Sequence, residues 1–479
     1  MSTSENKKDM HYVHVVVMLL LMFAFRFIPA PAPITAYGMQ VLGIFLGIVY
    51  GWCFAGGLAM PSLLAIVAMC TTEYGGGMAV LGSILANSTV CMIVFASFLL
   101  GPLNDSGVGN WLMAKLLSMN FAKGHPWRIT AILIIGLYFM GLIVGQIVVC
   151  LMVLSVLPGT LRAVGYTKND KYPNMLILGI MIGQVMSIMA FPWSTALMTI
   201  GTMQAATGLV MDFGKWMLAI IPFSVISLIG YIGIMTLMRC DVSKMTEIAA
   251  EDMFDGAAKN PLTKHQKATL ASMVIMIIGC IIVSFCAGMF PFLSSFSVFG
   301  WMVAVPAAMM VIKVDGKPIL TTDSITRNFP WELFLCLASA MFVAGQLSAD
   351  GTGIGILMAG LLGSFYSSVG EVAFLIIVAI LALVLTNFLN NLAVFMTFTT
   401  VLCSLFNQGV LTDIYTAVAA VTLFGVMGFL TPSGSVQGAM AHSFELTNPK
   451  KYYVYGGVAL IYYCILIAVL FIPVCRFIF

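Results

Sequence analysis

Charge is what this chain has least of. Its 479 residues include 21 Lys+Arg and 18 Asp+Glu, so 8% are charged against 61% apolar. A soluble domain keeps roughly a quarter of its residues charged, which excludes that class. The scarcity is also local. No Asp, Glu, Lys, Arg or His occurs in 129–161, 172–211 or 372–412, and 414–444 holds only His442. A proton relay through the bilayer needs buried ionisable groups; these segments argue against one, and against a metal-dependent or acid–base membrane enzyme. The 11 cysteines stand singly in apolar stretches without a CxxC, as small buried hydrophobes do. Strict apolar/polar alternation, which a membrane barrel requires, is missing as well. The remaining reading is an all-α polytopic membrane protein that is not an enzyme.

Apolar runs are abundant, and a crossing needs about 20 residues. The expected spans are 11–28, 37–54, 57–71, 88–104, 172–208, 214–238, 268–289, 294–312, 331–349, 414–441 and 452–475. Lys7, Lys8 and the apolar run from Val13 to Phe25 imitate a secretory signal; they are read as a first span and signal anchor. Two further runs, 129–161 and 372–406, are longer than one crossing and polar or glycine-containing near the middle. A re-entrant helical hairpin fits each, since irregular backbone at membrane depth is tolerated where it is buried in protein or lines a cavity. With this scheme and a cytoplasmic N-terminus, 18 of the 21 basic residues fall inside, leaving Arg26, Lys215 and Arg476 outside. That asymmetry is the positive-inside rule. Eleven spans follow, with the N-terminus in and the C-terminus out.

Residues 105–117 (DSGVGNWLMAKLL) echo residues 350–362 (DGTGIGILMAGLL) at an offset of 245, which also lays Gly145-Gln146 over Asn390-Asn391. Under the charge-derived topology the two copies run in opposite directions. The chain therefore reads as a first inverted repeat over 1–239, a cytoplasmic linker over 240–267 and a second repeat over 268–479. Inverted repeats with interrupted apolar segments are the mark of secondary transporters. The segments after Asp105 and Asp350 are too short to cross and are expected to lie at the interface.

Spans 172–208 and 414–441 each break near the centre, at Phe191-Pro192-Trp193-Ser194-Thr195 and Thr431-Pro432-Ser433-Gly434-Ser435. Proline removes a backbone donor and disturbs the preceding turn, which frees carbonyls to hold a cation, and the hydroxyls add oxygens. Asn387, Asn390 and Asn391 lie mid-hairpin in LTNFLNNLAVF, where an unpaired amide costs several kcal/mol. They serve either as interhelical glue or as substrate ligands. Gln146 is the comparable group of the first hairpin. Half-helix N-termini would supply the positive end that an anion needs. Gly43, Gly47, Gly51, Gly141 and Gly145 are spaced for close helix packing.

This layout resembles the divalent anion:sodium symporter family, which belongs to a wider ion transporter superfamily that includes citrate carriers. The most specific parts are LTNFLNNLAVF, FLTPSGSVQGAM and PWELFLCLASAMFVAGQLSADGTG. The resemblance implies a Ser-Asn-Thr motif at each hairpin tip. Here Asn390-Asn391-Leu392 keeps the central Asn, and Gly145-Gln146-Ile147 replaces it with Gln and lacks both hydroxyls. It further implies substrate contacts at Gln146, Asn390, Asn391, Thr431 and Pro432. One sodium site would use Gly145 with Ser194 or Thr195, and another Asn387 with Ser433, Gly434 and Ser435. The expected function is sodium-coupled symport of a di- or tricarboxylate by an elevator movement, in a homodimer of the plasma (inner) membrane, with sodium ions and no other cofactor. The alternative is a carrier of the same fold with another cargo or coupling, such as an anion exchanger or a proton-coupled permease.

Overall fold

A computed structural model describes residues 2–479 except 56, 107, 109–110, 112–114, 116–124, 191–194, 248–260, 287–289, 348 and 433. Helices dominate because backbone polar groups in hydrocarbon must be satisfied within their own segment. In chain order they are α1 Ser2–Leu19, α2 Ala36–Tyr50, α3 Ala59–Cys70, α4 Gly77–Leu85, α5 Ser88–Ser97 and α6 Leu100–Ser106. Next comes α7, which runs through Pro126–Ala131, a π-helical turn at Ile132–Gly136 and Leu137–Val144. It is followed by α8 Gln146–Ala163, α9 Lys171–Ala190, α10 Ala196–Thr207, α11 Phe213–Leu237, α12 Lys264–Cys286 and α13 Pro291–Val311. Two short strands, β1 Lys313–Val314 and β2 Lys317–Pro318, pair antiparallel with Lys313 opposite Pro318. The chain closes with α14 Thr322–Asn328, α15 Trp331–Leu347, α16 Ile354–Val369, α17 Glu371–Thr386, α18 Asn391–Asn407, α19 Ile414–Val426, α20 Val436–Ser443 and α21 Pro449–Leu466.

Five described helical stretches are long and apolar enough to cross a bilayer: Ala36–Ala55, Pro126–Ile143, Lys171–Ala190, Phe213–Leu237 and Pro449–Ile478. Their surroundings differ. The apolar window of α9 is 94% buried inside the protein, against 33% for Pro449–Ile478. So α9 is a central helix and the last one lies at the periphery. Other expected spans are shorter or divided. The segment 88–104 splits into α5 and α6, because Pro102 lacks an N–H and its ring crowds the carbonyl four residues back. The segment 57–71 yields a helix of 12 residues.

Between helices in a membrane, close packing replaces the hydrophobic effect as the source of attraction. The Gly43, Gly47 and Gly51 face of α2 shows how. A Cβ on Gly43 would lie 2.7 Å from the Leu21 carbonyl, one on Gly47 2.4 Å from the Met22 side chain, and one on Gly51 2.6 Å from Met18 Sδ. The N-terminal helix thus seats its backbone directly on α2.

Both expected hairpins are helix pairs joined by a tight turn. In the first, α7 and α8 meet at Gly145, whose φ of +97° is open to glycine and strained for other residues. In the second, α17 and α18 are joined across 387–390. The helix α16 after Asp350 meets α17 at a 115° bend over Gly370, as an interfacial segment turning into the membrane would. The second expected break is present, since α19 stops at Val426 and α20 starts at Val436; the first falls at 191–194, outside the described residues, between α9 and α10. Packing between the two expected halves is reciprocal. The return arm of the second hairpin, α18, lies on α10, and the return arm of the first, α8, lies on α20.

Loop contacts form two sets. One joins Arg162 to Glu445 at 2.7 Å, Tyr166 to the Asp241 carbonyl at 2.8 Å, Lys264 to Asp315 at 3.2 Å and Ser324 to Asp105 at 2.6 Å. The other joins Arg26 to Thr71 at 2.8 Å, Thr35 to the Gly351 carbonyl at 2.7 Å, and Arg476 to Glu371 and Asp413 at 3.5 and 3.6 Å.

Candidate functional site

The second hairpin tip and the second helix break are stitched together by Asn387. It caps the end of α17, where helical carbonyls lack partners. Its Nδ2 donates to the carbonyls of Leu383 (2.7 Å) and Met427 (3.3 Å). Its Oδ1 accepts from the backbone N–H of Phe429 (3.0 Å) and Leu430 (2.7 Å). The residue is fully buried. Asn387, expected as a sodium ligand, therefore has both N–H groups and both oxygen lone pairs of its amide engaged; the oxygen left to offer is its backbone carbonyl.

That carbonyl accepts from Thr431 Oγ1, and Thr386 Oγ1 donates to the Gly425 carbonyl at 2.5 Å. Ser435 caps α20: its Oγ accepts from the Gly438 N–H at 2.9 Å and donates to the Gly428 carbonyl. Gly434 fits where nothing larger does, since a Cβ there would lie 2.7 Å from the Thr386 carbonyl and 3.0 Å from that of Asn387. Backbone oxygens thus crowd around Gly434.

The two tip amides open α18. Asn390 Oδ1 and Asn391 Oδ1 both accept from the Leu392 N–H, at 2.9 and 3.1 Å. Asn391 Nδ2 makes one long bond, 3.4 Å, to the Val426 carbonyl. Pro432 is exposed. Ser433 lies outside the described residues.

The first tip is built differently. Gly145 ends α7 with its N–H on the Gly141 carbonyl at 3.1 Å, and Gln146 starts α8. A Cβ on Gly141 would stand 2.5 Å from both Gln184 Oε1 and Ser187 Oγ of α9, so hairpin and α9 are in close contact. Gln184 Nε2 donates to the Leu137 carbonyl at 2.6 Å, and its Oε1 is buried without a partner. Thr195, half-buried, accepts from the Met198 N–H at 3.1 Å. Ser194 and the Phe191-Pro192 break lie outside the described residues.

One hydrogen bond that sequence reasoning missed joins the first tip to α20: Gln437 Nε2 donates to Gln146 Oε1 at 2.7 Å. Gln437 is 3% exposed. One signal for it was in view, since it is the only Asn or Gln in 414–441. Asn387, Asn390, Asn391, Thr431, Gly434 and Ser435 therefore form one cluster, and Gln146 joins it through Gln437. Among the described residues no group of three His, Cys, Asp or Glu is placed to hold a metal ion. A cavity of about 220 Å³ lies elsewhere, lined by Tyr74, Ser83, Asn87, Phe342 and Gln346 among others, and none of the expected site residues lines it.

At the base of the second hairpin, outside its apolar arms, Glu371 Oε1 accepts from Thr412 N–H (3.1 Å), Asp413 N–H (2.9 Å) and the Tyr366 hydroxyl (3.2 Å). Burial pushes its carboxyl up, but these donors together with the Thr412 hydroxyl outweigh it and leave the pKa below the ordinary glutamate value.

Asn387 and Thr431 thus join the second hairpin tip to the gap between α19 and α20, in a stretch without charged side chains. The model of the sodium:sulfate symporter transmembrane region matches residues 7–475, and the chain belongs to that family. Membership agrees with the resemblance read from the sequence and makes the chain an integral multi-pass membrane protein. Among solved structures it is similar to MtrF of Neisseria gonorrhoeae, described as illuminating a class of antimetabolite efflux pumps. The identity is 14% and the TM-score 0.57, over 96% of this chain and 94% of that one, a likeness of fold. No match was found among curated proteins.

Proposed function

We propose that the protein is a secondary active transporter that carries a small organic anion, a di- or tricarboxylate, in symport with sodium. The observation that carries this reading is an uncharged cluster in which the second hairpin tip is stitched to the gap between α19 and α20, with the first tip joined to it through Gln146 and Gln437. Broken helices bind anions at half-helix N-termini, and unwound carbonyls take sodium. Here α8, α18 and α20 begin at this cluster. The carbonyls of Thr386 and Asn387 crowd Gly434, and carbonyl oxygens of this kind suit a hard monovalent cation. Beside the first tip, the unpartnered Gln184 Oε1 supplies an oxygen toward a second site with Gly145, Thr195 and Ser194. Asn391, Thr431 and Pro432 are the substrate contacts of the second half.

Two inverted halves are the arrangement we infer, moving as an elevator in a homodimer. Reciprocal packing of α18 on α10 and of α8 on α20 supports it. So do the loop contacts, because each joins two loops assigned to the same side by the charge count. A second reading, the same fold with another cargo or coupling, is favoured by the hydroxyl-free first tip, Gly145-Gln146-Ile147.

Counterflow in proteoliposomes separates the two. Uptake driven by an inward sodium gradient and abolished without sodium is expected; sodium-independent exchange of the anion refutes symport. Asn391→Ala is expected to cut uptake about tenfold or more, because one charge-assisted hydrogen bond is worth about 1.5–3 kcal/mol. Its folding should survive, since the 3.4 Å contact is weak. Unchanged uptake would demote Asn391 to packing.

A further inference from the structure

We propose that Gln437 is a specificity-determining residue: with Gln146 it builds the pole of the site that receives the substrate's second acidic group. This rests on the transport reading above and adds to it a residue from the opposite half. The argument starts from a deficiency, the first tip's lack of any hydroxyl donor. In the folded chain Gln437 reaches across from α20, 291 residues away, and donates to Gln146 Oε1.

That bond orients both amides. A glutamine amide has two N–H donors and one carbonyl oxygen. With the Gln146 oxygen engaged, its two N–H groups and the second N–H of Gln437 remain, three donors against the single oxygen of Gln437. The surplus favours an acceptor. Gln146 is the first residue of α8, and Gln437 lies in the first turn of α20 behind its cap Ser435. Both amides thus sit at helix N-termini, where unpaired backbone N–H groups and the helix dipole favour negative charge. The pair is largely shielded, with Gln437 buried and Gln146 half-buried, so its hydrogen bonds are weakly screened by water.

A pole of amide donors discriminates by hydrogen bonding. A carboxylate offers acceptors to all three N–H groups, whereas a carboxamide in its place offers one oxygen and turns an NH2 toward them. The experiment measures binding in sodium buffer to purified protein, using succinate, malate and citrate, and then the monoamide of whichever binds best. The native protein is expected to prefer the free acid about tenfold or more, the worth of one or two charge-assisted hydrogen bonds. Gln437→Leu should remove that preference, chiefly by weakening the acid, and Gln146→Leu should do the same from the other half. Gln437→Glu keeps the shape, should the leucine variant fail to fold. It replaces a donor with an acceptor and should shift preference to the monoamide. A native preference that survives in folded Gln437→Leu or Gln437→Glu protein overturns the proposal and leaves the transport reading intact. If no member of the panel binds the native protein, the carboxylate reading fails and this proposal with it.

Discussion

Replacing Asn387 by aspartate separates a structural role from cation binding, because the two roles move stability in opposite directions. The substitution keeps the oxygen that accepts from Phe429 and Leu430 but exchanges the Nδ2 donor for a second oxygen. That oxygen would face the carbonyls of Leu383 and Met427, now 2.7 and 3.3 Å from Nδ2. A buried charge without its partners costs about 3–5 kcal/mol. Asn387→Leu removes the amide and leaves the Leu430 N–H without its acceptor and the Leu383 carbonyl without its cap. At about 1–3 kcal/mol for each group left unpaired, the loss is about 3 kcal/mol. Thermal unfolding in detergent, in sodium and in choline chloride, reports both variants. Hydrogen exchange over 427–435 gives the local reading: 3 kcal/mol corresponds to roughly a hundredfold loss of protection at Leu430 if opening is confined to the break. Both variants should be destabilised in either salt, the aspartate at least as much as the leucine. If the aspartate variant is as stable as the native protein and binds sodium more tightly, Asn387 is a cation ligand and the stitching argument is wrong.

Two glycines should respond unequally to alanine. Gly434→Ala must push a methyl to 2.7 Å from the Thr386 carbonyl; overpacking of this kind costs about 1–3 kcal/mol and should disturb sodium-dependent stabilisation. Gly145→Ala meets no atom within 4 Å, so only its positive φ penalises it, by about 1–3 kcal/mol. A sodium response in Gly434→Ala equal to that of the native protein would deny Gly434 its place in a cation site. Glu371 has a lowered pKa in the folded protein. Its contribution to stability is therefore full above the unfolded value of about 4.3 and is lost as pH falls through the lower folded value. Glu371→Gln should flatten that part of the acid-unfolding curve, and an unchanged curve would mean that other carboxylates dominate it.

Much of this arrangement could be read in advance where the signal is chemical and local. The over-long apolar runs 129–161 and 372–406 marked where two helices turn on each other, and the proline and glycine of 431–435 marked the gap between α19 and α20. Asn387, Asn390 and Asn391 announced a tip because amides in hydrocarbon must be paired. What local pattern does not carry is which partner each takes. Asn387 sits three residues from Asn390, yet it clamps a segment 40 positions away. The Gln146–Gln437 bond depends on how two halves dock, which no spacing along the chain encodes. Helix lengths were legible only in part: Pro102 divides α5 from α6, whereas hydropathy summed over 88–104 ignores hydrogen-bond geometry.

The burial of α9 has a consequence for motion. A helix with a lipid face can slide, because the fluid beside it rearranges freely. α9 has almost no such face; it touches α7, α8, α11, α19, α20 and α21. Shearing any of these past it would unseat interlocked side chains along a whole rod. In the transport cycle proposed above, the first hairpin and α9 would therefore travel as one rigid keel, and any plane of slip would run elsewhere.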